Sequence, residues 1–228
     1  MFYFDPNYFI VIIPALLLSV IAQMMVSSAF NKWGRVRNGM GLTGVDVANR
    51  IIRNAGLAGV QLEGVPGQHT DHYDPQSHTV RLSQDVAAKP SVAAMAVVAH
   101  ELGHAQQHQE HSVLIQMRGF LVPAMRFSPM VSYGLIMIGF LFRVAGFIEL
   151  GILFYGVVVA FMVLTLPVEI DASRRGLKLL ADTGLMVGDD DRGGSRSVLT
   201  AAALTYVAAA VTALLQMLYY ISILNRRR

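Results

Sequence analysis

Four tracts without a single charged side chain alternate with polar stretches along this chain. They run from Pro6 to Asn31, Phe127 to Phe142, Leu150 to Val168 and Ser197 to Asn225. A helix crossing the hydrocarbon core of a bilayer needs about 20 apolar residues. The first and last tracts meet that length, the third comes close with 19 residues, and the second is short at 16. The second and third read as a helical hairpin. Arg143 and Glu149 would lie at its tip, where charged ends reach the membrane interface. The first tract resembles a signal peptide in length. However, Asp5 makes its leading region acidic, Lys32 and Arg35 follow it, and no small-x-small cleavage site is obvious. A retained anchor is therefore expected.

The polar stretch from 32 to 126 carries shorter patterns. Thr43-Gly44-Val45-Asp46 reads as a helix N-cap with an acidic residue three positions on. Val47, Ala48, Ile51, Ile52 and Ala55 continue at helical spacing, and Gly56 is a stop signal. Val60-Gln61-Leu62 is a short strand candidate. His69–Tyr73, Asp74-Pro75-Gln76-Ser77 and Thr79–Leu82 read as a β-hairpin. Ser91, after Pro90, caps an Ala- and Met-rich helix expected over 91–110, so the hairpin leads straight into that helix. Between 169 and 196 a helix is expected first, followed by a polar loop at Asp189–Ser195 whose acidic run reads as solvated.

Composition agrees with the tracts. Only 14% of the 228 residues are charged and 54% are hydrophobic, against about 25% charged in an ordinary soluble domain. The net charge of +3 is mild. It fits a positive-inside bias better than nucleic-acid binding, so the partner expected is a lipid bilayer and not DNA or RNA. Nine of the 18 Lys and Arg lie between residues 27 and 127, and five between 169 and 197. Both stretches are thus expected on the cytoplasmic side, with the N-terminus and the hairpin tip outside. Arg226-Arg227-Arg228 breaks this pattern if the last tract spans fully, so a transmembrane and an interfacial C-terminal helix both stay open.

The chemistry concentrates in His100-Glu101-Leu102-Gly103-His104. Residues i and i+4 share one face of a helix, so two imidazoles can address one metal ion while Glu101 stands beside them. This is the H-E-x-x-H pattern of zinc peptidases, in which zinc makes hydroxide available near neutral pH and the Glu is the general base. With seven His and five Glu, such a match arises by chance in roughly one chain in 200 of this composition. The chain has no Cys, so the metal must be held by imidazole, carboxylate and water. Gly103 costs the helix about 1 kcal/mol relative to Ala, which makes it a candidate for close approach of another backbone.

A catalytic zinc takes three protein ligands. Glu169, immediately after the third tract, is the candidate; an interfacial Glu paired with Arg174 or Arg175 is the alternative. Asp171 would face away on a helix. His108 extends the i, i+4 row, but its Cα is about 12 Å along the axis from that of His100, too far for one ion. His111 lies off the spacing of the extended H-E-x-x-H-x-x-G-x-x-H pattern, and Gln107 stands in that pattern's Gly position.

The chain resembles the YugP-like neutral zinc metallopeptidases, small bacterial membrane proteins. The resemblance rests on Phe4-Asp5-Pro6, Gly41–Gly44, Thr70–Pro75, Val80–Ser83, His100–His104, Leu166–Glu169, Ala172–Arg175 and Ala201–Tyr206. More distantly it is similar to HtpX-like and CAAX-prenyl-protease-like gluzincins, whose E-x-x-x-D segment supplies a ligand Glu after a transmembrane pair. The resemblance implies His100, His104 and Glu169 as zinc ligands and Glu101 as catalytic base. The Asp of that segment is Ser173 here, which puts the Asp's charged supporting role in doubt.

The expectation is a mainly α, multi-pass membrane protein with a small α+β zincin-like domain. The organisation is a first transmembrane helix over 6–31, the cytoplasmic domain over 32–126, the hairpin over 127–168, a helix with the third ligand plus polar loop over 169–196, and a C-terminal helix over 197–225. The function expected is a zinc-dependent metalloendopeptidase acting on membrane-proximal protein segments. His72, Tyr73, Arg174 and Tyr206 are candidates to stabilise the oxyanion. Two competing readings are a non-proteolytic membrane protein with a structural zinc site and a transport protein using Arg143 and Glu149.

Overall fold

The computed structural model describes residues 6–226, so Phe4, Asp5, Arg227 and Arg228 lie outside the described residues. The chain is mainly helical, with one small sheet. Its elements are α1 (Pro6–Trp33), α2 (Gly44–Asn54), β1 (Gln61–Val65), β2 (His72–Asp74), β3 (Thr79–Ser83), α3 (Gln84–Ala88), α4 (Val92–Gln109), α5 (Val113–Phe142), α6 (Ala145–Asp182) and α7 (Asp189–Asn225). Two compact units interleave along the sequence. One comprises residues up to 22, 116–167 and from 205 on; the other comprises 23–115 and 168–204.

In the second unit, β3 is the middle strand, parallel to β1 on one side and antiparallel to β2 on the other. Four of its five residues, Thr79, Val80, Leu82 and Ser83, are buried. The expected hairpin is therefore one edge of a three-stranded mixed sheet. It does not lead straight into the metal-motif helix, because α3 intervenes. The bend follows from Asp74, whose carboxylate accepts the Gln76 N–H and the Ser77 hydroxyl. Helix α2 starts on the reciprocal capping box of Thr43 and Asp46.

Helix α4 is the centre of this unit. Ser91 caps it by accepting the Ala94 N–H at 3.1 Å. Thirteen of its residues are buried, so it is covered on nearly every side; its first half is apolar, and the buried polar residues Glu101, His104 and Gln107 lie in its second half. Met95, Val98 and Leu102 join Val47 and Ile51 of α2, Val80 and Leu82 of β3, and Leu180 of α6 in one core. The contact between α4 and α6 is glycine-mediated. A Cβ on Gly103 would run into the Ala172 carbonyl of α6, and one on Gly176 would lie 2.7 Å from the Ala99 carbonyl of α4.

The stretch Asp189–Ser195 corrects the sequence reading. It forms the opening turns of α7 and is not a loop. Asp191 is buried, not solvated; its carboxylate accepts N–H groups from Gly39, Val187 and Gly188. Asp189 and Asp190 are exposed, as expected, while at Asp191 three converging donors replace the water.

In the first unit, Ser132 of α5 donates to the Gly151 carbonyl of α6 at 2.8 Å. Tyr155 of α6 meets Tyr220 of α7 edge to face, with centroids 5.3 Å apart. Among the described residues, four helices, α1, α5, α6 and α7, are long and apolar enough to cross a membrane. The short second tract is part of a 30-residue helix that starts at Val113 and carries Pro123 and Pro129 inside it.

Candidate metal centre

His100 and His104 occupy one face of α4, their rings 4.8 Å apart and nearly perpendicular. The close approach at Gly103 and Gly176 brings α6 against that face and with it Glu169. Its Oε2 lies 3.2 Å from His100 Nε2 and 3.4 Å from His104 Nε2. One ligand atom from each of the three residues falls within 4.8 Å of the others. Two corners of a tetrahedron with bonds of about 2.0–2.1 Å are separated by about 3.3–3.4 Å. The His–Glu separations match that spacing. Two imidazoles and a carboxylate, without thiolate, form a donor set that zinc accepts. The residues thus fit a zinc ion.

Glu101 is buried beside this cluster, and the Tyr73 N–H of edge strand β2 donates to its Oε2 at 2.9 Å. Burial pushes its carboxyl up to about 7, His100 opposes that rise, and the Glu169 charge adds to it. A carboxyl with its affinity near neutrality can both take and return a proton.

The backs of both imidazoles are also engaged. His100 Nδ1 lies 3.2 Å from the Ser173 hydroxyl. His104 Nδ1 lies 3.0 Å from Gln107 Oε1, and the Gln107 amide nitrogen donates to the Val168 carbonyl and to Asp171. Asp171 in turn accepts from Arg175, which also reaches Glu110. Asp171 therefore does face away from the cluster but belongs to its supporting network.

The matching family model is described as "Putative neutral zinc metallopeptidase" and covers residues 8–225. The chain belongs to this family. It is 41% identical over 216 residues to the "Putative membrane protease YugP" of Bacillus subtilis (strain 168), which covers 94% of this chain and 96% of that protein. No solved structure gives a significant match.

His108 bonds the Tyr73 hydroxyl at 2.8 Å, and His78 bonds the same hydroxyl at 2.6 Å. Burial, with Asp74 nearby, pushes that phenol up to about 12, so it stays protonated. The Tyr73 side chain is thus committed to two histidines, and it is the main chain of Tyr73 that touches Glu101. The His72 imidazole lies against the Thr70 carbonyl, and Arg174 is exposed. Tyr206 is half-buried on α7, and Arg143 and Glu149 are exposed on the α5–α6 connection and the second turn of α6. Sequence reasoning missed Gln107 and the Tyr73 N–H. The Gln107 signal was present, because position i+3 from His104 lies on the same helical face.

Proposed function

We propose that the chain is a membrane-integral zinc metalloendopeptidase in which His100, His104 and Glu169 hold the metal and Glu101 is the general base. The observation that carries this is the convergence of Glu169, 69 positions away in sequence, on the paired imidazoles at 3.2 and 3.4 Å. Zinc in such a site supplies Lewis acidity that acidifies water and polarises the scissile carbonyl. Glu101, desolvated and oriented by the Tyr73 N–H, takes the proton of the attacking water and returns it to the leaving amine. The edge position of β2 leaves an extended peptide a strand beside which to lie.

Glu169 directly follows the apolar tract that ends at Val168, on a helix able to cross a bilayer. This favours membrane-proximal protein segments as substrates, hydrolysed on the cytoplasmic side where the Lys and Arg bias places the polar stretches. The full chain in detergent tests the reading. Glu101→Gln should keep zinc and lose about 10²–10⁴-fold in turnover. Glu169→Ala should lose zinc. A structural zinc site would instead leave every property unchanged in Glu101→Gln. Equal cleavage of a soluble unfolded protein and of a membrane-anchored segment would overturn the substrate class.

A further inference from the structure

We infer that Gln107 is a positioning residue that dictates which nitrogen His104 offers to the metal; this rests on the zinc reading above. The argument starts from the Gln107 amide. Its two ends differ: the oxygen only accepts and the nitrogen only donates. Val168 O and Asp171 Oδ2, at 2.9 and 2.7 Å, flank one end, and both are acceptors. That end must be the nitrogen, since the opposite orientation would set three oxygens against each other.

The amide oxygen is thereby turned toward His104 Nδ1 at 3.0 Å. An acceptor there requires Nδ1 to carry the proton. Nε2 is then left with its lone pair, and Nε2 is the atom that faces Glu169. The assignment does not pass through solvent, because Gln107 is fully buried. Its far end is fixed in turn by Asp171, held by Arg175, which also binds Glu110. The orientation of a buried ligand is thus set by a chain of bonds that runs to the surface.

His100 lacks this device. The Ser173 hydroxyl at its Nδ1 can rotate to donate or accept, so it supports either tautomer. The two imidazoles are consequently unequal: His104 is locked and His100 is adjustable.

The test compares wild type and Gln107→Leu as full chains in detergent, by zinc competition with a chelator. Gln107→Leu should bind zinc about 10–100-fold more weakly, the range seen when a ligand's supporting partner is lost. A merely structural glutamine would lower the melting temperature of Gln107→Leu and leave its zinc affinity within twofold of wild type, which overturns the inference. Should Gln107→Leu fail to fold, histidine-selective ¹⁵N spectra of the zinc-loaded wild type decide: a proton on His104 Nδ1 supports it, and a proton on Nε2 sinks it. A wild type that takes up no zinc sinks the parent reading as well. One that binds zinc while Gln107→Leu matches it sinks this inference alone.

Discussion

Single side chains in this molecule are defined by which donors reach them. Glu101 and Asp191 are both buried carboxylates, but they sit in opposite surroundings. Burial raises the proton affinity of Glu101 and the nearby Glu169 carboxylate adds to the rise, while the single backbone N–H it receives opposes it only weakly. Asp191 receives N–H groups from three residues and ties the 37–41 segment to the start of α7. Removing its carboxylate strands those donors. Asp191→Ala should therefore cost about 1–3 kcal/mol, the usual penalty for buried donors left without partners. Asp191→Asn, which keeps one acceptor, should cost less. Melting of the detergent-solubilised chain measures both, and an unchanged melting temperature in Asp191→Ala would count against this role.

Between elements, the decisive contact is backbone against backbone. Gly103 sits inside the metal motif, one residue before His104, where the Ala172 carbonyl leaves no room for a Cβ. Its poor helix propensity is offset by what the gap allows: α6 approaches closely enough for Glu169 to reach both imidazoles. Gly103→Ala improves the local helix by about 1 kcal/mol. It should still destabilise the fold by about 1–3 kcal/mol through overpacking. It should also weaken zinc binding, because the helices must separate. An isolated-helix view predicts the opposite sign, so thermal melting with and without zinc separates the two. Gly176, facing the Ala99 carbonyl, makes the same contact from the other helix.

For the whole molecule, the question is which side of the bilayer each polar stretch occupies. From the Lys and Arg distribution we propose that the sheet-bearing stretch is cytoplasmic and the α5–α6 turn external. The absence of cysteine makes this directly measurable. Single cysteines at Ser77, in the β2–β3 bend, and at Val144, in the α5–α6 turn, can each be probed in intact cells with a membrane-impermeant maleimide. Ser77→Cys should stay unlabelled until the membrane is opened, and Val144→Cys should react at once. The reverse pattern would place the metal centre on the outer side and remove cytoplasmic segments from the substrate class.

The sequence by itself determined what depends on local order. Charge-free tracts mark helices able to span a bilayer, because length and apolarity alone set that capacity. The H-E-x-x-H spacing places two imidazoles on one helical face, because the pitch of a helix is fixed. The Thr43–Asp46 box announces α2, because capping acts over three residues. Tertiary structure decided whatever joins distant positions. Glu169 could equally have been an interfacial partner of Arg174 or Arg175 until α6 brought it to α4. Gln107 looked like a departure from another pattern until Val168 and Asp171 arrived to orient its amide. Asp191 looked as solvated as its exposed neighbours Asp189 and Asp190 until Gly39 supplied a donor from about 150 residues away. Short-range geometry is written into spacing. Long-range partnership arises only when two backbones come close, and here that closeness rests on two glycines, Gly103 and Gly176, whose missing Cβ atoms a linear reading cannot assign to any neighbour.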